Sequence, residues 1–211
     1  MDLLERLRTE AFLKDVSFDD LDLAGYRFAG KELFRCSFRR TKLNDSHWSQ
    51  AHLEDCSFED CDLSQMHPGD GGFVGVRFTR CKLQGVLFEK PSPATRLAFE
   101  ECNLRYAAFV AAPLRRTALL RCRAQESSFL DLDLQEADFS GTDLTAATLT
   151  GCDLRGADLS SAEGVFVDPA KNRVRDLRVG VDAAVALAGS FGMRVAGFDE
   201  GPKAPVLKRR R

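Results

Sequence analysis

The chain has 211 residues, 29% of them charged, and a net charge of only −2. It is long enough for a substantial core, and as a whole it is neither a polycation nor a polyanion. No apolar run reaches the roughly 18 residues of a membrane-spanning helix. The first segment, MDLLERLRTEAFLKD, lacks the uninterrupted apolar stretch of a secretory signal, so we expect a cytoplasmic protein without membrane contact.

The charge is unevenly distributed along the chain. Residues 1–14 carry 3 acidic and 3 basic side chains, residues 15–165 carry 24 Asp/Glu against 17 Lys/Arg, and residues 166–211 carry 5 against 10. The long middle is therefore acidic and the C-terminal part is basic.

A large apolar residue recurs every five residues from Phe18 to Phe88 and, after one extra residue within EKPSPATRLA (89–98), from Phe99 to Gly164. In the first register 14 of 15 positions hold Leu, Phe or Trp, and in the second 12 of 14 hold Leu or Phe. A helix repeats its apolar residues every three to four positions and a strand every two, so neither accounts for this period.

The positions around each apolar residue follow a motif. The residue two before it is mostly small, as at Ala107, and the residue directly before it is often Asp or Asn, as at Asp138. This motif resembles that of the pentapeptide-repeat family. The resemblance implies an all-β fold, a right-handed four-sided parallel β-helix with one pentapeptide per side and twenty residues per coil, over residues 15–165.

Residues twenty positions apart support four sides, because they share their type. One such column is Phe18, Phe38, Phe58 and Phe78, and the next is Leu23, Leu43, Leu63 and Leu83. We expect seven coils and a rod roughly 34 Å long at the spacing of neighbouring strands. Exposed strand edges at its ends need covers, for which we assign residues 1–14 and residues 166–198, and residues 199–211 are interpreted as a disordered basic tail.

The cysteines and histidines do not suggest a reactive site. All seven cysteines occupy the small position of the motif, where a thiol acts as a small apolar group, so free buried thiols in a reducing compartment are expected. His47, His52 and His67 match no metal-site spacing, and HPGDGG (67–72) lacks the Lys and Ser/Thr of a phosphate loop. We expect no cofactor, no metal and no enzymatic activity.

Two acidic segments are the first candidate for a partner-binding surface. Residues 43–76 and residues 124–154 each contain seven acidic residues and no Lys or Arg. They are either ordinary solvated faces, since the motif itself favours Asp, or a surface for a basic partner. The candidate carboxylates are Glu54, Asp55, Glu59, Asp60, Asp62, Asp131, Asp133, Glu136, Asp138, Asp143 and Asp153.

Two interruptions, near residues 64–75 and 89–98, break the pattern with proline and glycine. Loops on rigid scaffolds often carry recognition, but the first interruption keeps the register and is alternatively a degenerate coil. The candidate loop residues are His67, Asp70, Glu89, Lys90 and Arg96.

The apolar segment VDAAVALAGSFGMRVAG (181–197) is the third candidate surface. Pairing two such ends about a twofold axis would hide their apolar side chains. We therefore predict a homodimer whose interface contains Val185, Leu187, Phe191, Met193 and Val195.

Two stretches, LLRCRAQESSF (119–129) and AAVALAGSFGMRVAG (183–197), are similar to the Qnr group of quinolone-resistance proteins. In that group a larger loop follows the Cys-Arg-Ala-Gln turn, whereas both interruptions here precede Cys122. The resemblance implies a dimeric rod that mimics duplex DNA and does not bind nucleic acid directly. It would bind DNA gyrase or topoisomerase IV and protect the enzyme from fluoroquinolones or, as self-resistance, from a natural-product poison. The alternative is a non-enzymatic scaffold for another macromolecule.

Overall fold

The computed structural model describes residues 3–89, 92 and 94–198. Helix α1 (Leu3–Thr9) comes first, short parallel strands follow, and helix α2 (Val181–Ser190) comes last. The strands are β1 (Phe12–Lys14), β2 (Ser17–Asp19), β3 (Glu32–Phe34), β4 (Ser37–Arg39), β5 (His52–Glu54), β6 (Ser57–Glu59), β7 (Gly72–Val74), β8 (Val76–Thr79), β9 (Leu87–Glu89), β10 (Leu97–Glu100), β11 (Ala108–Val110), β12 (Ala118–Leu120), β13 (Ser128–Leu130), β14 (Thr148–Thr150), β15 (Asp158–Leu159) and β16 (Arg178–Val179).

The strands coil around one axis and form the sides of a rod. Strands β2, β4, β6, β8, β10 and β12 make a six-stranded parallel sheet, β1-β3-β5-β7 and β9-β11-β13-β14 make two more, and β15 pairs with β16. Partners are twenty residues apart, as in Phe18 with Phe38, and become 21 apart where Phe78 pairs with Phe99. This fold is the predicted parallel β-solenoid, with about 8 turns and a C-terminal helix.

Each coil has four sides, which we number by their first inward residue. Face 1 begins at Phe18, face 2 at Leu23, face 3 at Phe28 and face 4 at Leu13. Face 2 is held by a row of single β-bridges that runs from Asp22 and Lys42 towards the C-terminus. All four of the named inward residues are at most 5% exposed.

Stacked aromatic rings fill the N-terminal half of the core. On face 1 the ring centroids of Phe38 lie 4.6 Å from Phe18 and 4.7 Å from Phe58, and on face 3 Phe28 and Trp48 stack at 3.8 Å. Phe38 also meets Phe28 and Trp48 edge to face, at 6.0 and 6.1 Å. The rings of two opposite faces therefore interlock across the axis, which is a favourable arrangement for aromatic quadrupoles.

All seven cysteines are free and buried, as predicted, and the structure explains why most are there. At some corners the backbone carbonyl of the inward residue accepts a hydrogen bond from the N–H group three residues later in the chain, as the Phe28 carbonyl does from Lys31 at 2.9 Å. At other corners a side chain of the next coil donates to that carbonyl, as the Thr41 hydroxyl does to Phe18 at 2.9 Å. Five thiols make the same bond: Cys36 to Leu13, Cys56 to Leu33, Cys61 to Phe38, Cys102 to Phe78 and Cys152 to Phe129.

Native protein is expected to be inert to a thiol reagent. Every cysteine is at most 2% exposed, and burial raises the pKa of Cys152, which disfavours the reactive thiolate. Titration with Ellman's reagent should release no thionitrobenzoate from folded protein, and one equivalent per cysteine after denaturation. Rapid reaction of a single thiol in the folded protein would contradict this packing.

The two ends of the rod differ. At the N-terminal end Leu7 of α1 is fully buried and its carbonyl accepts a hydrogen bond from the Tyr26 hydroxyl at 3.1 Å. The Lys31 ammonium donates to the Arg8 carbonyl of α1 at 3.4 Å and to the Glu10 carbonyl just beyond it at 2.6 Å, which fixes the end of the helix to the rod. At the C-terminal end α2 has no buried residue.

The coils extend further at both ends than the sequence predicted. Residues 1–14 were assigned to a cap, but β1 already belongs to a sheet. Of residues 166–198, also assigned to a cap, residues 166–179 form a further coil in which β16 pairs with β15. This coil departs from the motif because Asn172 takes the small inward position, where its amide donates to the Leu149 carbonyl at 3.0 Å as a thiol would.

Candidate interaction surface

Several of the predicted carboxylates hold the fold's own turns. The Asp138 carboxylate accepts the Ser140 N–H at 2.9 Å, and the Asp143 carboxylate accepts the Thr145 N–H at 2.9 Å. These are Asx turns, which an Asn can also make. The same contact is made by Asp62, Asp133 and Asp153. The regular Asp of the motif thus has a structural cause that the sequence reasoning missed.

These turns affect the charge of the carboxylates. Burial by itself would raise the pKa of Asp143, but hydrogen bonds from Thr145 and Gln125 outweigh it and hold that pKa below its usual range. Hydrogen bonds from the Ser160 hydroxyl and N–H likewise lower the pKa of Asp158. Both groups are therefore ionised at neutral pH.

Other predicted carboxylates pair with cations of the neighbouring coil. Arg80 reaches Asp60 at 2.8 Å and Glu59 at 2.5 Å, and Lys82 reaches Asp62 at 3.2 Å. Asp153 pairs with Arg155 of its own coil and with Arg173 of the next one. The corner after face 1 is a column of alternating charge formed by Asp20, Arg40, Asp60, Arg80, Glu101 and Arg121. Such exposed pairs each add little stability, but they neutralise much of the acidic surface that the sequence predicted.

Glu136 is the most strongly paired of the predicted carboxylates. Hydrogen bonds from Arg116 and Arg115, at 2.8 and 2.7 Å, lower the pKa of Glu136 to about 2. Both partners are in the preceding coil, so this contact also joins two coils.

Six predicted carboxylates have no Lys or Arg within 4.0 Å among the described residues, and four of them lie between residues 131 and 143. We call this group of four the acidic belt; it consists of Asp131, Asp133, Asp138 and Asp143. Asp133, Asp138 and Asp143 precede the inward residues of faces 4, 1 and 2, and Asp131 lies at the corner after face 3. Within the described chain Glu54 and Asp55 also lack such a partner, and both lie on face 4, although Glu54 is 3.9 Å from His52. The predicted carboxylates are therefore spread around the rod and do not gather on one face.

The first interruption is a coil and not a protruding loop. Strand β7 pairs in register with β5, the Asp70 carboxylate accepts the Gln50 N–H at 2.8 Å, and the His67 ring stacks on His47 at 4.5 Å. Glycine is required at Gly71 because a Cβ there would lie 2.7 Å from the backbone carbonyl oxygen of Trp48. An open cleft beside this coil is lined by Met66, His67, Pro68, Leu87 and Glu89.

The second interruption inserts one residue, as predicted, and the register resumes at β10. Glu89 and Arg96 are exposed on its two sides. Lys90 lies outside the described residues.

The C-terminal end presents apolar side chains to solvent. Phe191 and Met193 are 65% and 56% exposed. Val185, Leu187 and Val195, also predicted for the interface, are half-buried. Beside them lies a groove of about 160 Å³ lined by Val167, Pro169, Val174, Leu177, Val179, Ala183 and Leu187. The structure thus brings the predicted interface residues to one end of the rod.

Within residues 3–89, 92 and 94–198 no group of three or more His, Cys, Asp or Glu side chains is placed to hold a metal ion. In the same part of the chain no helix is long and apolar enough to cross a membrane.

The four-sided coils and their five-residue motif define the class of protein. The family model described as pentapeptide repeat region matches residues 31–92, and the model for pentapeptide repeats (8 copies) matches residues 131–160. The predicted pentapeptide repeats are thereby confirmed in these two regions. No curated protein sequence matches it.

Among solved structures, a trypsin-treated form of QnrB1, a plasmid-mediated fluoroquinolone resistance protein, is similar in fold. Its TM-score is 0.57 at 20% identity, and the match covers 87% of this chain and 89% of that one. HetL, a pentapeptide-repeat protein involved in heterocyst differentiation regulation in the cyanobacterium Nostoc sp. strain PCC 7120, matches at 16% identity with a TM-score of 0.46, over 84% of this chain and 91% of its own.

Proposed function

We propose that this protein binds a type II topoisomerase, DNA gyrase or topoisomerase IV, as a mimic of duplex DNA and protects it from an inhibitor. The observation that carries the proposal is the fold similarity to QnrB1, a fluoroquinolone resistance protein, over most of both chains. The inhibitor is a fluoroquinolone or a natural-product poison of the same enzyme.

The surface charge gives the proposal a physical basis. An enzyme that holds duplex DNA must offer cations to its phosphates. The acidic belt places carboxylates around a rigid rod, in the part of the chain from residue 124 to residue 154 that has no Lys or Arg. Binding of this kind weakens as salt is added and depends on few directional contacts.

We further propose that the working form is a homodimer joined at the C-terminal ends. The N-terminal end is sealed by α1, whereas Phe191, Met193 and the unburied α2 leave the other end apolar. Exposed apolar patches bounded by polar surface are typical of association sites. A twofold pairing would place one acidic belt on each side of the junction.

Removing the charge of the acidic belt is expected to weaken protection while the fold is retained. The triple variant Asp133→Asn, Asp138→Asn and Asp143→Asn keeps a side-chain acceptor for each Asx turn, so its melting temperature should stay within a few degrees of the parent. Its apparent affinity for the enzyme should fall by about tenfold, since each lost pair contributes up to about 1 kcal/mol. Gyrase supercoiling in the presence of each inhibitor measures the effect.

The matched control changes the net charge equally at the other end of the rod, with Glu5→Gln, Asp19→Asn and Glu32→Gln. This control should protect like the parent protein. If the parent has no effect on supercoiling with any of several poisons, the proposal is wrong. Recovery of an unrelated macromolecule in a pull-down would then favour the scaffold alternative.

A further inference from the structure

A basic segment lies between the two acidic ones. Residues 77–123 contain ten Lys or Arg and three Asp or Glu, a net of +7, whereas residues 43–76 and 124–154 each have a net of −7. Because each coil takes about twenty residues, this segment encircles the rod as a band roughly 11 Å wide at the spacing of parallel strands. The coiling therefore converts a charge pattern along the chain into bands along the axis.

Six of the ten cations of this band pair with a carboxylate, whereas Arg123, which lies apart on face 2, has no carboxylate within 4.0 Å among the described residues. Arg77 and Arg96 are exposed and have no carboxylate within 4.0 Å among the described residues. Arg115 and Arg116 share a single carboxylate, that of Glu136. We call Arg77, Arg96, Arg115 and Arg116 the arginine corner.

The backbone register places these arginines in consecutive coils. Arg77 pairs with Ala98 and Ala98 pairs with Ala118, so the three residues climb by one strand spacing each, about 4.8 Å. Arg96 and Arg116 lie two residues before Ala98 and Ala118, at the edge between faces 4 and 1. Arg96 and Arg116 thus stack along the rod axis at this edge, while Arg77 lies one coil earlier and two residues further along the strand direction, so the cations form a compact patch.

The neighbouring part of face 1 is open to a close approach. Its outward residues there are Ala98 and Ala118, which leave a shallow groove bordered by Arg77 and also by Glu100, whose carboxylate pairs with Arg121. On the same face the preceding coils carry serine at this position, and Arg77 is the first charged side chain in the row. A partner can therefore lie against the backbone while the arginines contact its edge.

We propose that the arginine corner binds the phosphate backbone of duplex DNA. Guanidinium groups bind phosphate oxygens in pairs of hydrogen bonds, and a patch of them can contact neighbouring phosphates of a DNA strand. Nothing at this corner is shaped to read base edges, so the binding is independent of sequence. The inference departs from the expectation, implied by the family resemblance, that the protein does not bind nucleic acid directly. It does not depend on the topoisomerase proposal, although a rod with both surfaces would fit an enzyme that already holds DNA.

The alternative to DNA as the partner of the arginine corner is the acidic belt of a second copy of this protein. Its Asp133, Asp138 and Asp143 are half-buried and lie on three different faces. No single approach of another rod brings all of them to one corner. Duplex DNA, in contrast, carries one phosphate charge per ~1.7 Å of its axis. The geometry therefore favours DNA.

Fluorescence anisotropy with a labelled duplex longer than the rod tests the proposal, without any topoisomerase. The full chain should bind at about 50 mM salt and release the duplex as salt rises. The variant Arg77→Gln, Arg96→Gln and Arg116→Gln should bind at least tenfold more weakly. Its plot of log affinity against log salt should be shallower by about 3, because each phosphate contact contributes about 0.9 to the slope.

A matched variant distinguishes this corner from general charge. Arg40→Gln, Arg80→Gln and Arg121→Gln remove the same charge from the alternating column after face 1 and should bind like the parent. Every variant retains the basic residues beyond residue 199, so these cannot cause the difference. Equal losses in both triple variants, or no binding by the parent, would overturn the proposal. So would sedimentation showing that the first variant only loses self-association, since a second copy would then be the occupant.

Discussion

Replacing Phe38 with alanine is expected to lower the free energy of unfolding by about 3–5 kcal/mol. Phe38 is fully buried and its ring touches four others, two stacked along face 1 and two met edge to face. Its removal leaves a cavity at the point where both aromatic columns meet, and a chain fixed by coil-to-coil hydrogen bonds cannot easily collapse into it. Equilibrium unfolding in urea measures the loss.

The control for this change is Phe12→Ala, at a ring that is 54% exposed on face 4. It should cost less than about 1 kcal/mol, as surface changes usually do. Because coils contact only their neighbours, Phe38→Ala is also expected to make the N-terminal coils susceptible to protease before the C-terminal ones. A loss below about 1 kcal/mol for Phe38→Ala would show that the aromatic columns are loosely packed.

The period of five and the column of twenty predicted most of the fold. Both are read from large inward residues such as Phe58 and Leu63, whose burial dominates the energy of folding. The single extra residue within 89–98 was also visible, because the columns resume beyond it at Phe99. An inward position requires an apolar side chain that fills the core, and the residue type shows this directly in the sequence.

The surface could not be predicted to the same extent. Asp60 and Arg80 are twenty positions apart, so their ion pair is evident only after the coil length is known. The role of Asp138 in an Asx turn depends on the backbone of a corner, which the sequence does not display. The list of acidic residues in the sequence therefore overestimated the number of carboxylates without a Lys or Arg partner. Among the described residues these are the acidic belt and a few others.

The ends illustrate a second limit. Residues 166–179 continue the coil although their sequence no longer follows the motif. Asn172 satisfies a carbonyl that Cys or Thr satisfies elsewhere. A pattern search recognises the usual residue types, whereas this corner requires only a side chain that fits inside and donates a hydrogen bond to the inward residue's carbonyl. Sequence reasoning consequently ended the solenoid one coil too early.

Replacing both Phe191 and Met193 with glutamate is expected to convert the proposed homodimer into a monomer. Each side chain is more than half exposed in the single chain, so the free energy of unfolding of the protomer should hardly change. In a twofold interface the change occurs twice and adds four buried charges, each opposed by desolvation. The dissociation constant should rise by at least about a hundredfold, since burying each such side chain contributes about 1.5–3 kcal/mol.

Sedimentation velocity over a concentration series measures this shift, and Phe12→Glu, at the end sealed by α1, is the control that should remain dimeric. The result also bears on mechanism. If the monomeric variant still protects the enzyme, a single acidic belt is sufficient and the twofold arrangement is not required for activity. If protection is lost with the dimer while the belt is intact, the partner must contact both rods, because an unchanged protomer would otherwise bind as before.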